Sequence, residues 1–468
     1  MNPPLLHFSG LQGETGAYAV PPGTPHETLP FLGGEAPVRE EILVPRGVLE
    51  GDPRDLAQVG WGVLFTQKDD KEAAEIRKAL EPLLSLRRNQ VARSGKHHRY
   101  REYRGRRGYR SGDSKRDFLK QNGVTAGEVN PDEMPYYLLI VGDPCDIPYE
   151  VQCLLDVERA VGRLSFETPE EYARYAHRVV AAESDLAASA ARERQAVFFA
   201  PQHDGDAESG LCVKHLVKPV AAHARKQEGW KVRQFVGDRA SKKQLARVLG
   251  GPETTDLLFT AGHGMVFKPE NPRQLRNQGA LVCSEWPGPS WKERVPADFY
   301  FSSNDLESAA GALVAFFFAC FSGGVPAWRS YDLNGGVAMA PHPFVADLPR
   351  ALLGRFEAGP LAVIGHVDLA WVSSFHASGP RVPLKRLAEF KKMVEQILQG
   401  YPVGAAMEIF GRRYAALATD LCEELLAVHR GKKPDDETLW RLWLCQDARN
   451  YIILGDPAVR LVPPESQP

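Results

Sequence analysis

Short apolar runs recur along the chain, and stretches with the spacing of amphipathic helices separate them. The runs are rich in β-branched and aromatic residues, which is typical of buried strands in a parallel sheet. They span residues 61–65, 136–141, 196–199, 232–236, 256–261, 312–319, 361–367 and 451–454. The helical stretches span 68–86, 168–182, 215–226, 241–249, 349–356, 384–399 and 403–429. Since strands alternate with helices, we predict an α/β protein with a largely parallel sheet.

Two long segments interrupt this alternation. Residues 266–308 contain Pro, Gly, Trp286 and Trp291 without a clear period, and residues 325–344 are similar. A connection of this length without regular structure inside a compact domain usually has a function. We therefore expect both segments to be functional loops.

Composition is that of an ordinary globular protein. The 468 residues are 43% hydrophobic and 25% charged, which allows a large core and two or three structural units. The seven cysteines are scattered without C-x-x-C spacing, so we expect no metal site and a reducing, cytoplasmic setting. No apolar run reaches the roughly 18 residues of a membrane span, and residues 1–34 lack the pattern of a secretion signal. Phosphate-binding glycine motifs are absent, which disfavours a nucleotide-binding enzyme, and no cofactor is expected.

Charge is distributed unevenly. The net charge is −2, yet residues 87–116 contain twelve Lys and Arg against two acids, Glu102 and Asp113. This basic segment therefore carries +10 and the rest of the chain −12. Such segments stay solvated or bind nucleic acid or an acidic surface, and tyrosines among the arginines also occur in RNA-binding segments. Because the segment offers little apolar surface to bury, we expect a mobile loop.

Two of the apolar runs end in reactive side chains. Residues 256–262 lead into His263 and Gly264, and residues 312–319 lead into Cys320. The carboxyl ends of parallel strands meet at one edge of a sheet, so we expect His263 and Cys320 on neighbouring strands at that edge. An imidazole beside a thiol is the pair that nucleophilic cysteine chemistry needs, because the thiolate attacks while the histidine takes and returns the proton. The sequence thus predicts a cysteine peptidase with protein substrates.

The order and spacing of these pieces resemble the caspase-like clan of cysteine peptidases, which includes caspases, gingipains, separase and the CHAT-type peptidases. Upstream, residues 139–143, 147–148 and 156–171 resemble the first subdomain of the gingipain family, and the ending at residues 450–458 also resembles that family. The resemblance covers roughly residues 130–465. Since no secretion signal is seen, it indicates an intracellular bacterial relative of the gingipains.

This resemblance implies a caspase- and gingipain-like three-layer sandwich of two subdomains. The chain then divides into an N-terminal extension packed on the core (1–86), the basic loop (87–116), a first gingipain-like subdomain (126–190) and a catalytic subdomain (191–468). The resemblance also implies that the backbone amides of Gly264 and Cys320 bind the oxyanion of the reaction, where one donor typically contributes about 3 kcal/mol.

In the gingipain family, an acid upstream of the Gly-Arg piece, here Gly162 and Arg163, helps form the first substrate pocket or orients the histidine. Asp156 is the nearest match and Glu158 the next, while a salt-bridged structural role is an equal alternative for either. A carboxylate in that pocket predicts cleavage after Arg or Lys. Under that selectivity the basic loop is a dense set of cleavable sites. We hypothesise that it covers the acidic cleft of a zymogen and is cut by the enzyme itself or by an upstream peptidase.

A second histidine also follows an apolar strand. His366 is the competing base, but His263 is favoured because glycine follows it and because the family's histidine lies there. His366 is then interpreted as a wall of the cleft or a core hydrogen-bonding residue. Asp368 and Trp371 are candidates to lie beside a substrate strand bound by β-augmentation.

Two functions stay open. The first is a cysteine endopeptidase that is activated in a bacterial stress or antiviral defence pathway, for which nucleic acid and membrane partners are not expected. The second is a catalytically idle caspase-like scaffold whose basic loop binds nucleic acid or a protein partner. The presence of both His263 and Cys320 argues against the second. The oligomeric state is not indicated.

Overall fold

The computed structural model describes residues 5–6, 10–18, 24–25, 49–68, 70–127, 129–188, 194–250, 255–307, 313–328, 338–378, 383–433 and 436–461. The strands are β1 (Leu5–Leu6), β2 (Gly10–Gln12), β3 (Thr24–Pro25), β4 (Trp61–Leu64), β5 (Tyr100–Tyr103), β6 (Tyr137–Val141), β7 (Ala160–Leu164), β8 (Arg194–Ala200), β9 (Trp230–Val236), β10 (Leu257–Ala261), β11 (Gly264–Val266), β12 (Leu281–Val282), β13 (Tyr300–Phe301), β14 (Val314–Phe318), β15 (Gly324–Val325), β16 (Phe344–Val345), β17 (Ala362–His366), β18 (His376–Ser378), β19 (Pro383–Lys385) and β20 (Tyr451–Gly455).

The α-helices are α1 (Leu56–Val59), α2 (Lys71–Ala79), α3 (Glu81–Ala92), α4 (Lys115–Gln121), α5 (Tyr149–Leu155), α6 (Pro169–Ala188), α7 (Ala207–Leu211), α8 (Lys218–Ala224), α9 (Lys242–Gly250), α10 (Gln274–Asn277), α11 (Asp347–Gly354), α12 (Ala388–Leu398), α13 (Val403–His429) and α14 (Asp436–Arg449). A π-helical turn, Cys212–Val217, joins α7 to α8. No helix in the described ranges is long and apolar enough to cross a membrane.

Ten strands form one large sheet in the order β5-β4-β6-β7-β20-β17-β14-β10-β8-β9. Neighbouring strands run parallel throughout, except that β17 and β20 are antiparallel, with His366 opposite Tyr451. The sheet therefore consists of two parallel halves of five strands that run in opposite directions. The prediction of an α/β protein with a largely parallel sheet is confirmed.

Helices cover both faces of this sheet. On β6, Leu138 and Ile140 share a core with Phe118 of α4 and Val151 of α5. The alternate residues of β6 belong to the main core, which also contains buried residues of α3 and α6. Since successive side chains of a strand point to opposite faces, the molecule has a helix–sheet–helix arrangement of three layers.

A second, smaller sheet lies where the sequence predicts a long loop. Strands β13, β12, β11 and β2 pair in that order, so part of the N-terminal region joins residues 264–301. Its core consists of Leu11, Met265, Phe267, Ala280, Val282, Trp286, Val295 and Tyr300. The expectation of a loop over 266–308 is wrong for these residues, because strands of two or three residues are too short to show a period. Of the second expected loop, residues 329–337 lie outside the described ranges.

Much of the basic segment 87–116 is regular structure, with short turns between the elements. It includes the end of α3, the edge strand β5 and the start of α4. Tyr103 and Tyr109 are buried, and they supply the apolar surface that the charge count does not reveal. Arginines of the segment also pair with acids outside it, as Arg99 does with Asp132 (Nε–Oδ1, 2.6 Å). The expectation of a mobile loop is therefore wrong for the helical and strand residues of the segment.

One arginine of the basic segment is fully buried in an ionic network. The Arg87 guanidinium lies 2.7 Å from Asp456 (Nη2–Oδ2) and 2.5 Å from Glu183 (Nη1–Oε1). The indole N–H of Trp61 donates to the other oxygen of Asp456 at 3.0 Å. Because Asp456 directly follows β20, this network ties α3, α6 and β4 to the last strand of the sheet.

Replacement of Arg87 tests this network. Arg87→Met leaves Asp456 and Glu183 buried without their countercharge, so we expect a loss of about 3–5 kcal/mol in the free energy of unfolding. Urea unfolding at neutral pH measures it. Arg93→Met is the matched control, since Arg93 is exposed. A loss below about 1 kcal/mol, typical of a surface pair, would contradict a structural role of the network.

Candidate active site

His263 and Cys320 follow neighbouring strands at equal distances. Strands β10 and β14 pair in parallel with Ala261 opposite Phe318, and His263 and Cys320 come two positions later. A β-carbon on Gly264 would lie 2.1 Å from the carbonyl oxygen of Cys320, so the two backbones are in contact and only glycine fits there. The structure thus brings both residues to one edge of the sheet, where Cys320 is 0% and His263 2% exposed.

A carboxylate lies on the other side of the histidine. His263 Nε2 is 2.8 Å from Oδ2 of Asp206, and both side chains are buried. Asp206 follows β8, which neighbours β10 on the side away from β14. With Nε2 directed to Asp206, proton exchange with the thiol of Cys320 falls to Nδ1. Nucleophile, base and orienting acid are the three parts of a catalytic triad.

The carboxyl group of Asp206 is held in its ionised form. Burial acts to raise its pKa, but the charge and hydrogen bond of His263 prevail, so the pKa of Asp206 lies well below its ordinary value. The hydroxyl of Tyr18 donates to the second oxygen, Oδ1, at 2.8 Å. Burial and the neighbouring Asp206 raise the pKa of Tyr18, so the phenol keeps its proton and can only donate to the carboxylate. Both oxygens of Asp206 therefore have a donor.

Aromatic rings enclose the imidazole of His263. The centroid of the Tyr18 ring lies 5.5 Å from that of the imidazole. The centroid of the Trp286 ring lies 5.6 Å from it, with the two planes nearly perpendicular. A second histidine, His203, packs on Trp286, and its Nδ1 donates to the carbonyl of Trp286 at 2.7 Å. Burial, and then the charge of His263, lower the pKa of His203 to about 4, so this ring is neutral at physiological pH.

Cys320 begins a tight turn that is tied to the segment after β17. Phe321 has a φ of 57°, a left-handed conformation that is uncommon for a residue other than glycine. Its amide donates to the carbonyl of Asp368 at 2.9 Å. The amide of Ala370 donates to Sγ of Cys320 at 3.2 Å. A backbone N–H directed at sulfur favours the thiolate, because a hydrogen bond to the charged form stabilises it.

His366 and Trp371 lie in the core behind this turn. His366 is 0% exposed, with Nε2 3.1 Å from the carbonyl of Asp447 and Nδ1 2.9 Å from the carbonyl of Asp368. Burial acts to lower the pKa of His366, but the hydrogen bond and charge of Asp447 prevail and raise it. Asp447 also accepts from the amide of Trp371 at 3.2 Å and from the hydroxyl of Ser374. Asp447, on α14, thus fixes the segment that packs behind Cys320.

The structure does not bring Asp156 or Glu158 to the cysteine and histidine. Both residues precede β7. Two strands, β20 and β17, lie between β7 and β14, so β7 and β14 are about 14 Å apart at the usual strand spacing. Glu158 contacts Lys115 at 2.7 Å and Arg159 at 3.1 Å. Asp156 accepts from the amide of Val161 at 3.0 Å. These contacts hold the turn before β7.

The basic segment lies far from the cysteine. Its strand β5 is six positions from β14 in the sheet, or about 29 Å. Arg104, Arg106 and Arg107 follow β5, and because the two halves of the sheet run in opposite directions they lie at the edge opposite Cys320. The hypothesis that this segment covers the cleft is therefore wrong for this structure.

Asp206 and Tyr18 are functional candidates that the sequence pattern does not single out. The position of Asp206 in the sequence could have identified it, because it follows the end of β8 by six residues and so lies at the same sheet edge as His263. Tyr18 carries no such signal, because its partners are about 190 and 245 residues away in the chain. The pairing of β2 with β11 and the turn that follows β2 bring it there.

Comparisons with known proteins give the following. No family model and no curated protein matches the chain. A solved complex of Porphyromonas gingivalis RgpB pro- and mature domains is similar at 15% identity, covering 86% of this chain and 80% of that chain, with a TM-score of 0.45. A structure described as a protease is similar at 12% identity, covering 88% and 80%, with a TM-score of 0.48. At these values neither likeness carries a conclusion about activity, which has to come from the site itself.

The pKa of Asp206 gives a pH-dependent prediction. A carboxyl group with a depressed pKa in the folded state stabilises the protein at pH values above its ordinary pKa of about 4. This stabilisation is lost as the pH falls through the folded-state pKa. We expect Asp206→Asn to be less stable than the wild type at neutral pH by about 1–3 kcal/mol, with a gap that narrows below about pH 4. Urea unfolding across that range measures the gap. Asp204→Asn, at an exposed neighbour, is the control, and a gap that does not change with pH would contradict the prediction.

Proposed function

We propose that this chain is a cysteine peptidase in which Cys320 is the nucleophile, His263 the base and Asp206 the acid that orients it. The observation that carries the proposal is the continuous contact from Asp206 through His263 and Gly264 to the backbone of Cys320. The sequence resemblance to the caspase-like clan, and within it to the gingipain family, supports the same function.

The first step is activation of the thiol. His263 takes the proton of Cys320 at Nδ1, and the imidazolium that forms is stabilised by the ionised Asp206 at Nε2. The amide of Ala370, 3.2 Å from Sγ, stabilises the thiolate. Sulfur then attacks the carbonyl carbon of the scissile peptide, a carbon–sulfur bond forms, and the carbonyl electrons move to oxygen.

The second step stabilises and then breaks the tetrahedral intermediate. The amides of Gly264 and Cys320 are the proposed donors to its oxyanion, and the contact between the two backbones supports this. Collapse of the intermediate breaks the carbon–nitrogen bond, and the leaving amine takes the proton that His263 holds. Water, deprotonated by His263, then hydrolyses the thioester and restores the thiol.

Substrate access requires a movement near the nucleophile. Cys320 is fully buried, and the amide of Ala370 lies directly against its sulfur. Because Cys320 has no exposed surface, a neighbouring segment has to move before a substrate strand reaches the sulfur. Asp368 and Trp371 then border the bound strand by β-augmentation, while His366 supports them from the core.

We propose cleavage after Arg or Lys. A buried acid near the histidine supports this selectivity, since Glu208 lies two positions beyond Asp206. A cationic side chain is favoured beside desolvated carboxylates. Asp156 and Glu158, proposed from the family pattern, contribute to the pocket only if the turn before β7 moves towards β14.

A library of fluorogenic peptides tests activity and selectivity together. We expect turnover after Arg or Lys in the wild type and less than about a thousandth of it in Cys320→Ala, because loss of a nucleophile removes the covalent route. Cys145→Ala, at an exposed cysteine, is the matched control and should keep full activity. Turnover that survives in Cys320→Ala would remove the peptidase assignment. A different residue class before the cleaved bond would remove only the selectivity.

We also propose that a cut in the basic segment activates the enzyme, made by the enzyme itself or by an upstream peptidase. Two exposed turns support this, one with Arg93 and Lys96 before β5 and one with Arg106 and Arg107 after it. Because these turns lie far from Cys320, the cut acts through the sheet and not by uncovering the cleft.

Intact-mass analysis tests the cut. Active wild-type protein should be cleaved at one of the two exposed turns, and Cys320→Ala should stay uncut if the enzyme cuts itself. Arg106→Gln combined with Arg107→Gln removes the sites of one turn and should shift cleavage to the other. Fully active wild-type enzyme with an intact segment would rule out this form of activation.

One observation favours a second function. The nucleophile is fully covered, whereas Arg104, Arg106 and Arg107 are exposed at the opposite edge of the sheet. This arrangement fits a catalytically idle scaffold whose basic segment binds nucleic acid or a protein partner. The comparison of wild type with Cys320→Ala in the peptide library separates the two functions.

A further inference from the structure

The stretch Gly10–Tyr18 is built into the catalytic half of the molecule. Strand β2 runs parallel to β11, with Gly10 opposite Gly264, and Leu11 is fully buried in the core of the small sheet. The amide of Gly13 donates to the carbonyl of Val266 at 3.0 Å. These contacts fix an N-terminal stretch directly beside the residue that follows His263.

A tight turn then directs Tyr18 back to the site. The amide of Gln12 donates to the carbonyl of Ala17 at 2.8 Å, and Tyr18 forms a bridge with Leu11. Gly16 has a φ of 62°, which glycine adopts without strain. Outside the turn, Arg273 donates to the carbonyl of Gly13 at 2.8 Å and contacts the Glu14 carboxylate at 2.7 Å. The position of Tyr18 is therefore determined by the small sheet.

Tyr18 contacts the carboxylate that orients the histidine. Its hydroxyl donates to Oδ1 of Asp206, and Oδ2 of the same group bonds His263, both at 2.8 Å. A carboxylate with a donor on only one oxygen can rotate about its Cβ–Cγ bond and turn that oxygen away from the ring. A donor on each oxygen fixes the plane of the carboxylate and hence the direction of the hydrogen bond to Nε2.

We propose that Tyr18 is a positioning residue of the catalytic site, acting through Asp206 on His263. This inference deepens the proposed function and rests on it. It assigns the N-terminal stretch to the catalytic machinery, although more than 180 residues separate Tyr18 from Asp206 in the chain.

The alternative is that the same stretch is an inhibitory cover. The contacts of the stretch favour a supporting role for the site over a cover. Tyr18 binds Asp206, which lies on the side of His263 away from Cys320, and β2 pairs with β11. The sulfur of Cys320 is contacted instead by the amide of Ala370. Loss of Tyr18 should therefore lower turnover, whereas loss of a cover would raise it.

Tyr18→Phe is the test, since it removes one hydroxyl and keeps the ring against His263. We expect kcat to fall about tenfold with KM within about twofold, because the hydrogen bond is to a charged group and does not touch substrate. Tyr109→Phe is the matched control: its hydroxyl donates to the carbonyl of Asp113, remote from the site. Unchanged kcat in Tyr18→Phe, or a rise, overturns the proposal.

A double-mutant cycle separates positioning from general stability. If Tyr18 acts through the carboxylate, Tyr18→Phe should have no further effect in an Asp206→Asn background. A tenfold effect that persists there overturns the proposal, since it would then arise from packing. Unfolding midpoints of all variants are measured alongside, and the midpoint of Tyr18→Phe should stay close to that of the wild type.

A measurement without substrate keeps the two proposals distinguishable. The Nε2 proton of His263 has a downfield NMR resonance that reports its hydrogen bond to Asp206, and Asp206→Asn identifies it. Tyr18→Phe should shift this resonance, and Tyr109→Phe should not. An unshifted resonance overturns the role of Tyr18 whether or not the protein cleaves peptides. Absence of turnover dependent on Cys320 overturns only the proposed function.

Discussion

The antiparallel pairing of β17 with β20 is the constraint on which the rest of the structure depends. In a purely parallel sheet, all carboxyl ends of the strands would face one edge. Here the reversal sends the carboxyl ends of the two halves to opposite edges. The ends of β8, β10 and β14 bring Asp206, His263 and Cys320 together. The other half can offer that edge only the turns before its strands, and these hold Asp156 and Glu158 in structural contacts.

Burial of the site determines how its charges behave. Asp206, His263 and Cys320 are each at most 5% exposed, so water contributes little to their solvation. In such surroundings an unpaired polar group is costly and a paired one is held firmly. The donors on both oxygens of Asp206 and the amide on the sulfur of Cys320 therefore stabilise the charges that the proposed mechanism places in this buried site.

The sequence predicts the parts of the fold that local pattern controls. Long apolar runs identify β10 and β14, and the equal offset of His263 and Cys320 places them at one edge. Strands of two or three residues in the small sheet have no readable period. The direction of β20 is not determined by its local sequence either, since the same apolar run can pair with a parallel or an antiparallel neighbour. Tyr18 reaches the site through pairing between strands more than 250 residues apart, which no single stretch encodes.

The position of β20 has a consequence for how this chain can be made. It is the last strand of the sheet to be synthesised, yet it lies in the middle, between β7 and β17. Until β20 is synthesised, β7 and β17 each lack a neighbouring strand on one side. Their exposed edges are then open to wrong pairing. The other strands can thus collapse early, but their assembly into one continuous sheet waits until Tyr451–Gly455 has been made. A fragment ending before Tyr451 would be two unfinished sheets and not a smaller version of the same fold.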